Sequence, residues 1–557
     1  MQIHSVGVVE EVASRWKRGY LRSVTKPSDP VTSRGEVPPN MESISASGRW
    51  LLLLKEVVKE VEEPSGPVMA AALTAKLGVE PGLGAALLSG METLADYATS
   101  DLELGAVDAE ALAIAVAMKA VRPILEAQLQ RRLDALDRDL LGEAVCRRCE
   151  KRAQSEGRRG RGWASLSGDL SLQRRYVHCD RCGEGYAPSQ LKLGLGESPF
   201  TPRLEEVCTM MATTVPHGMA VKLVGQLLGT EVSGRGIQQM VERRAQGLAA
   251  QLTDEAIACA PYDGAGLPVE HARPAATVAS APETLYLEMD GVVPMTREEL
   301  PTSELSDADR RRKRRAKKNR ARGGRGKRYR LVGREVKNAV IYSAENCVKE
   351  SPSRDCITDK RYVSHLGDAT QFGALLWVEL LRRRIDEAKR VVVLSDGAEW
   401  IRTLCAWLPI PVLLILDLFH VKHRIWEVAN LLYGEHTPEA RRWADAQCDR
   451  VEAGRATQVI EALRFLNPRR AQTKEAVRLL ADYLSNNLDR MDYPAYRAMG
   501  LRVGSGAVES ANYHVTGTRL KLQGMRWSEQ GAREMAYLRA DLFNGEWERR
   551  TRALLAA

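Results

Sequence analysis

Three carboxylates stand where an acid would serve a site. Asp290 closes the apolar run Leu285-Tyr286-Leu287-Glu288-Met289, and Asp396 closes Val391-Val392-Val393-Leu394-Ser395. Glu509 follows the glycine-rich stretch Gly504-Ser505-Gly506-Ala507-Val508. Carboxylates are hard oxygen ligands for divalent cations, which can activate a hydroxyl and stabilise a leaving oxygen. Two aspartates at strand ends and a later glutamate on a basic chain suggest a nuclease or DNA strand-transfer site. With 72 acidic residues in the chain, some fall at strand ends by chance, so the surrounding elements must decide. A second constellation is Cys146-x-x-Cys149 and Cys179-x-x-Cys182, two pairs with 29 residues between them. Each pair puts two thiolates on one tight knuckle, and two knuckles close a tetrahedral zinc site. All four positions are filled by protein, so the expected Zn2+ is structural rather than catalytic.

At 557 residues the chain exceeds one core and predicts several domains. A hydrophobic content of 44% with 27% charged residues describes a globular protein. The apolar runs, such as Leu51–Leu54 and Leu408–Leu416, are too short to span a membrane, so no membrane partner is expected. Ten cysteines in so long a chain make no disulfide framework, which points to a reducing cytoplasm. The net charge of +9 is local: residues 310–330 hold 14 Lys/Arg and no acid, leaving about −5 for the rest. Such a run is by default a solvated loop, yet it attracts phosphates by counterion release, so nucleic acid is the expected partner.

The elements that must position these residues follow in order. Residues 1–45 lack periodicity and read as disordered; 46–141 show helical spacing, as in Ile114, Met118, Val121 and Leu125. Residues 142–200 read as a zinc ribbon, with a loop through Arg158, Arg159 and Arg161 leading into a strand. Within 201–259, a helix over Ala220–Leu228, a glycine turn and a second helix capped by Ser233 resemble a helix-turn-helix. Residues 260–283 are a linker rich in Ala, Pro and Gly. From 284 to 418 the pattern predicts strands Leu285–Val293, Val336–Ser343, one near Tyr362–Ser364, Val391–Ser395 and Val412–Leu416. Helices are expected over Thr370–Glu387 and Gly397–Leu408. Residues 419–498 are an all-helical insertion, and 499–557 are the helices that bring in Glu509. The expected class is multidomain α/β. With the first strand central and the fourth parallel beside it, Asp290 and Asp396 converge in the layout of a ribonuclease-H-like mixed sheet. The glycines at 504 and 506 suit a helix start that approaches a phosphate closely.

The segment Gly504-Ser505-Gly506-Ala507-Val508-Glu509, continuing to Arg519-Leu520-Lys521-Leu522-Gln523-Gly524-Met525-Arg526-Trp527, resembles bacterial insertion-sequence transposases of the ISKra group. Ser395-Asp396-Gly397-Ala398-Glu399-Trp400, Asp417-Leu418-Phe419-His420, the paired cysteines with Gly183-Glu184-Gly185-Tyr186, and Gly333-Arg334-Glu335-Val336-Lys337 fit as well. The resemblance covers about residues 144–547 in motif order. It implies a DDE transposase that binds terminal inverted repeats, cuts DNA and joins 3′-hydroxyls to a target. The implied triad is Asp290, Asp396 and Glu509, holding Mg2+ or Mn2+. Asp417 and His420 resemble the supporting signature seen beside the site in Mutator-like transposases, and Asp417 competes with Asp396 as second metal ligand. The basic run at 310–330 is longer and more basic than the family pattern. Arg519, Lys521, Arg526 and Trp527, directly after the glutamate, are expected to contact DNA, the cations through phosphates and Trp527 by stacking or core filling. Pairing two ends requires at least a homodimer during reaction, and the expected location is the cytoplasm, at the nucleoid. The rival readings are a domesticated DNA-binding protein without transposition activity and a ribonuclease-H-like nuclease.

Overall fold

The computed structural model describes residues 81–98 and 106–550, apart from 141–143, 264–265, 305, 309, 312–328 and 352–353, together with positions 71, 74 and 75. The segment read as disordered (1–45) and most of the basic run lie outside the described residues. The described residues divide into two compact units, one of those up to 212 with 216–240, the other of 213–215 and those from 241 to 550.

The first unit begins with helices α1 (Pro81–Ala98) and α2 (Ala106–Asp139), followed by an antiparallel sheet of β1 (Gln154–Ser165), β2 (Gly168–His178) and β3 (Gly185–Tyr186). Where a loop through the arginines is expected, Arg158, Arg159 and Arg161 instead lie on β1, a long strand paired along its length with β2. The outer edge of β2 is covered by α2. Glu126, Gln130 and Asp137 accept hydrogen bonds from the backbone N–H groups of Ser171 (2.9 Å), Gln173 (2.7 Å) and Arg175 (3.0 Å). These bonds satisfy donors that would otherwise leave an open strand edge. Leu133, Trp163, Leu172 and Leu195 form the core beneath.

After α3 (Pro188–Lys192) and α4 (Pro202–Thr214) come α5 (His217–Leu228) and α6 (Gly234–Ala258). Gly229 ends α5 at φ 63°, a left-handed cap that a side chain would strain. Ser233 Oγ accepts the Gly236 N–H at 3.0 Å and starts α6. The expected helix pair is therefore present, but its second helix runs 25 residues rather than a few turns.

The second unit is built on one five-stranded mixed sheet in the order β10-β7-β4-β11-β12. The strands are β4 (Thr284–Val292), β7 (Val336–Ser343), β10 (Arg361–Leu366), β11 (Arg390–Ser395) and β12 (Leu413–Leu416). Strands β4, β11 and β12 are parallel, while β7 runs antiparallel to β4 and β10 antiparallel to β7. The first strand is central and the fourth lies parallel beside it, as its uninterrupted apolar run suggests for a strand buried on both faces. Two hairpins not anticipated from the pattern, β5 (Met295–Glu299) with β6 (Tyr329–Gly333) and β8 (Cys347–Ser351) with β9 (Arg354–Ile357), flank β7 in sequence.

Side-chain alternation gives the sheet two cores. Leu285, Leu287, Met289, Val391 and Val393 face α7 (Ala369–Arg382) and α8 (Glu399–Trp407). Tyr286, Val340, Tyr342, Val392 and Leu394 face the helices that follow β12. Those helices are α9 (Leu418–Tyr433), α10 (Pro438–Glu452), α11 (Ala456–Phe465), α12 (Ala471–Asn486) and α13 (Tyr493–Ala498), an all-helical insertion as the periodicity predicts. The chain then returns through α14 (Gly506–Ala511), which continues as a π-helical stretch, Asn512–Gly517, before α15 (Glu529–Phe543). Among the described residues no helix is long and apolar enough to cross a membrane.

One acid sits inside the second core. Glu288, 0% exposed, accepts the Tyr342 hydroxyl at 2.5 Å and the Val508 N–H at 2.9 Å. It thereby fastens the start of α14 to the central strand. Burial pushes its carboxyl up to about 7, against the pull of these two hydrogen bonds. A raised folded-state value stabilises the protonated fold fully below the ordinary carboxylate range, and that contribution is lost as pH rises through about 7. Melting temperature in wild type should therefore carry a decline between pH 4.5 and 7 that Glu288→Gln lacks; identical pH profiles for the two proteins would refute it.

Candidate functional site

The strand register sets the site. On β4 and β11, Val392 lies beside Tyr286 and Leu394 beside Glu288, and the ladder ends with Ser395 beside Met289. One step further along the same register, Asp396 falls beside Asp290. On β11 and β12, Ser395 pairs with Leu416, so Asp396 falls beside Asp417, whose N–H donates to the Ser395 carbonyl at 2.8 Å. On the other side Asp290 pairs with Asn338, and Asn338 with Ser364. A single polar row, Ser364-Asn338-Asp290-Asp396-Asp417, thus crosses all five strands.

Asp290 is held from within the protein. Asn512 Nδ2 donates to its Oδ2 at 2.5 Å, and Asn338 Nδ2 donates to Asn512 Oδ1 at 2.7 Å. Asn338 Oδ1 in turn accepts the hydroxyls of Ser364 (2.5 Å) and Thr516 (3.0 Å). Burial raises the Asp290 carboxyl above its ordinary value; the negative charge of Asp396 adds to the rise, while the Gly291 N–H, His420 and Asn512 oppose it. Asp396 ends β11 at a turn made by Gly397, whose φ of 93° and contact with Leu416 leave no room for a side chain. Its Oδ1 accepts the Ala398 N–H at 2.9 Å, and its main-chain carbonyl accepts the Tyr483 hydroxyl at 2.7 Å.

Asp417 is a different kind of residue. It is 1% exposed and caps α9, with Oδ1 accepting the N–H groups of Phe419 (2.6 Å) and His420 (3.3 Å). Its Oδ2 accepts the Ser505 N–H at 2.9 Å and the Ser505 hydroxyl, and lies 3.2 Å from His420 Nδ1. Burial raises this carboxyl, but the bonds from His420 and Ser505 outweigh burial and hold it below the usual range. Bonded to both Ser505 and the first turn of α9, Asp417 serves as a clamp between β12 and the turn before Glu509. Asp396, by contrast, has one backbone N–H donating to its Oδ1.

Glu509 projects from α14 with its side chain 57% exposed, and its Oε1 lies 4.0 Å from His420 Nδ1. Ligand atoms of Asp417, His420 and Glu509 all lie within 4.8 Å of one another. The hydrogen bond to Asp417 raises the His420 imidazole; burial opposes this, and the charges of Asp417, Asp396 and Asp290 reinforce it. The shift favours the protonated, donating form of the ring beside these carboxylates. Gly504 has a packing cause: a Cβ there would come within 2.5 Å of the Phe419 ring. No close phosphate approach is needed to explain that glycine, and a Cβ at Gly506 would meet only open space.

The four residues after the glutamate divide. Lys521 and Arg526 are exposed. Arg519 is not a surface phosphate contact: it is 1% exposed, with its guanidinium 4.7 Å over the Trp527 ring. Burial, with the nearby Arg539 charge, lowers Arg519 to about 10. Trp527 is half-buried, donates Nε1–H to the Leu520 carbonyl at 3.2 Å and pairs through its backbone with Met295 and Arg297 of β5. It is a packing residue whose ring already carries Arg519. Glu288, Asn338, Asn512 and Ser505 were missed in the sequence. Only Glu288 left a signal there, as a charged residue inside an otherwise apolar strand, where burial demands partners.

In the first unit the four cysteines come together. The Sγ atoms of Cys146 and Cys182 are 3.4 Å apart, those of Cys149 and Cys179 are 3.5 Å apart, and all four lie within 4.8 Å. A tetrahedral zinc–thiolate site has a sulfur–sulfur edge of about 3.8 Å, given bonds of about 2.3 Å. Each knuckle closes on a left-handed residue, Glu150 (φ 57°) after the first pair and Gly183 (φ 72°) after the second. Burial opposes ionisation of Cys146, yet the N–H groups of Arg148 and Cys149 and the thiols of Cys182 and Cys149 outweigh it and lower this thiol, while the shared proton raises Cys182. The cluster can bind a metal such as zinc in a closed, structural site.

The contrast between Asp417 and Asp396 is measurable. Asp417→Asn turns one acceptor into a donor facing Ser505 and His420, and should cost on the order of 2–3 kcal/mol, a loss of several degrees in melting temperature. Asp396→Asn should stay within about 1 kcal/mol of wild type by the same measurement. Equal losses would contradict the division of roles.

A model of the family described as Uncharacterised protein family (UPF0236) matches residues 240–554, which include the five-stranded sheet, all the clustered carboxylates and the helical insertion. No curated protein matches the chain. Since the family match spans more than half of the 557 residues, the chain belongs to the uncharacterised protein family UPF0236.

Proposed function

We propose that this protein is a DDE transposase of a bacterial insertion sequence, with a ribonuclease-H-like catalytic core. The observation that carries the reading is the register that sets Asp290 beside Asp396 on adjacent parallel strands, with Glu509 brought to His420 beside them. The strand order, with three parallel strands and the second strand antiparallel, agrees with that core. The resemblance in the Gly504–Glu509 segment and in Asp417-x-x-His420 supplies the reaction class.

The donor set fits hard divalent ions. Burial first and then the negative charge of Asp396 raise the Asp290 carboxyl, and a cation between the two carboxylates would offset both. Bound at Asp290, Asp396 and Glu509, Mg2+ or Mn2+ would supply Lewis acidity for an attacking water or 3′-hydroxyl and for the leaving oxygen. The chain's own residues orient and support. Asn512 holds Oδ2 of Asp290, Glu288 and Asp417 hold the two ends of the turn that presents Glu509, and the His420 ring lies close to Glu509. No Ser or Tyr nucleophile is required.

Lys521 and Arg526, exposed after α14, and the basic run at 310–330 are the proposed phosphate contacts. The cysteine cluster is proposed as a zinc ribbon, and α5 with α6 as a helix-turn-helix, both serving recognition of terminal inverted repeats. Joining two ends needs at least a homodimer in the synaptic complex, acting at the nucleoid.

Asp290→Asn should abolish metal-dependent cleavage of DNA carrying the element's terminal repeats and leave end binding within about twofold, because it removes a ligand charge and no DNA contact. Strand transfer surviving in that variant would sink the assignment. Elemental analysis of the purified protein should find one zinc per chain, lost in Cys149→Ser; a zinc-free wild type that folds normally would remove the ribbon.

A further inference from the structure

Two aromatic rings rim the carboxylates without being part of any core. Phe419 is 64% exposed although its neighbours Leu418 and Val421 are buried, and Tyr513 is 65% exposed. Among the described residues only five large hydrophobic side chains exceed 60% exposure, the others being Ile257, Leu267 and Phe465. Two of five at one small site is not the scatter expected of stray surface residues.

Their attachment places them at that site. The Phe419 N–H donates to Asp417, its ring rests against Gly504, and His420 follows it directly. Tyr513 follows Asn512, which holds Asp290, and comes one turn after Glu509 on the same helix. The Tyr513 ring meets that of His514 edge-on, with centroids 4.9 Å apart. The Phe419 ring is thus braced against the turn at Gly504, the Tyr513 ring lies against that of His514, and both are open to solvent. Glycine at 504 is what makes the seat for Phe419 possible.

A flat ring beside a phosphate-processing site fits the face of a nucleobase, and stacking accepts any base because every base has a π-face. In an intact duplex those faces are already stacked on one another, so a ring can take a base only from an unpaired or extruded nucleotide. The geometry points to Phe419 and Tyr513 as a stacking platform that holds unpaired bases next to the scissile phosphate. The inference rests on the transposase reading for its substrate, and it adds that the DNA strand enters the site single-stranded or frayed.

The test uses the full chain and two fluorescein-labelled DNA duplexes of identical sequence, one blunt and one with a single-stranded oligo-dT tail, followed by fluorescence anisotropy. Wild type should prefer the tailed duplex. Phe419→Ala and Tyr513→Ala should each weaken tailed binding by about 10-fold and leave blunt binding unchanged, whereas Phe419→Tyr and Tyr513→Phe should retain the preference. Phe419→Leu, apolar but ringless, should behave like Phe419→Ala. Both side chains are exposed, so thermal melts of the variants should match wild type. No tail preference in wild type, equal tailed affinity in the alanine variants, or equal losses on both duplexes would overturn the platform. So would a change in association state with DNA affinity intact, which would make the rings a contact between copies. The two proposals fail separately. If wild type neither cleaves nor joins DNA carrying the terminal repeats while the alanine variants lose tailed binding, the transposase assignment falls and the platform stands. If cleavage behaves as expected and the alanine variants bind normally, only the platform falls.

Discussion

The parallel pairing of β4 with β11 is the constraint on which the rest of this structure depends. Both faces of these strands are apolar, so the polar side chains fix the register: a slip of one residue would take Glu288 away from Tyr342 and Val508 and turn Asp290 to the opposite face. With that register set, Asp290 and Asp396 share a face and a level. The same rule applied to β12 adds Asp417, and applied to β7 and β10 adds Asn338 and Ser364. The polar row is a consequence of sheet geometry, and its two halves have different fates. Toward β10 it is closed by internal hydrogen bonds through Asn338, and toward β11 it opens on carboxylate oxygens.

A long helical insertion separates this row from Glu509, so bringing the glutamate back requires tethers. The protein uses buried acids for the purpose. Asp417 binds Ser505 at the N-cap of the returning helix, and Glu288 binds the N–H of Val508 three residues later. Carboxylates suit that place because helix N-termini present unsatisfied N–H groups and a positive dipole end. Acids in this region therefore serve two purposes, and burial separates them. Those sunk into the core, Glu288 and Asp417, fasten elements, while Asp290, Asp396 and Glu509 stay at least partly exposed.

Aromatic residues show the same separation. Trp527 and Arg519 cover each other and join the β5 hairpin to the segment before α15, while Phe419 and Tyr513 stand clear. Both arginine and tryptophan are common at nucleic-acid interfaces, and their presence after a catalytic-looking glutamate invites that role. Desolvation decides against Arg519: a guanidinium with 1% exposure cannot reach a phosphate without leaving its packing partner.

The sequence by itself marked the five strands of the large sheet, because short β-branched runs such as Val391–Leu394 suit strands buried on both faces. It determined the helical insertion through periodicity, and the cysteine cluster through duplicated spacing, since two thiols on a short knuckle are local chemistry. It also marked Asp290, Asp396 and Glu509 as candidates. The choice between Asp396 and Asp417 was not legible there, because both end parallel strands at the same level and look alike in one dimension. Only the tertiary structure, by seating Ser505 and the first turn of α9 on Asp417, occupied one carboxylate and left the other open. The hairpins beside β7, the Asn512 bridge to Asp290 and the exposure of Phe419 and Tyr513 were decided there too. Each depends on which distant segment arrives beside a residue, and burial is a property of that arrival.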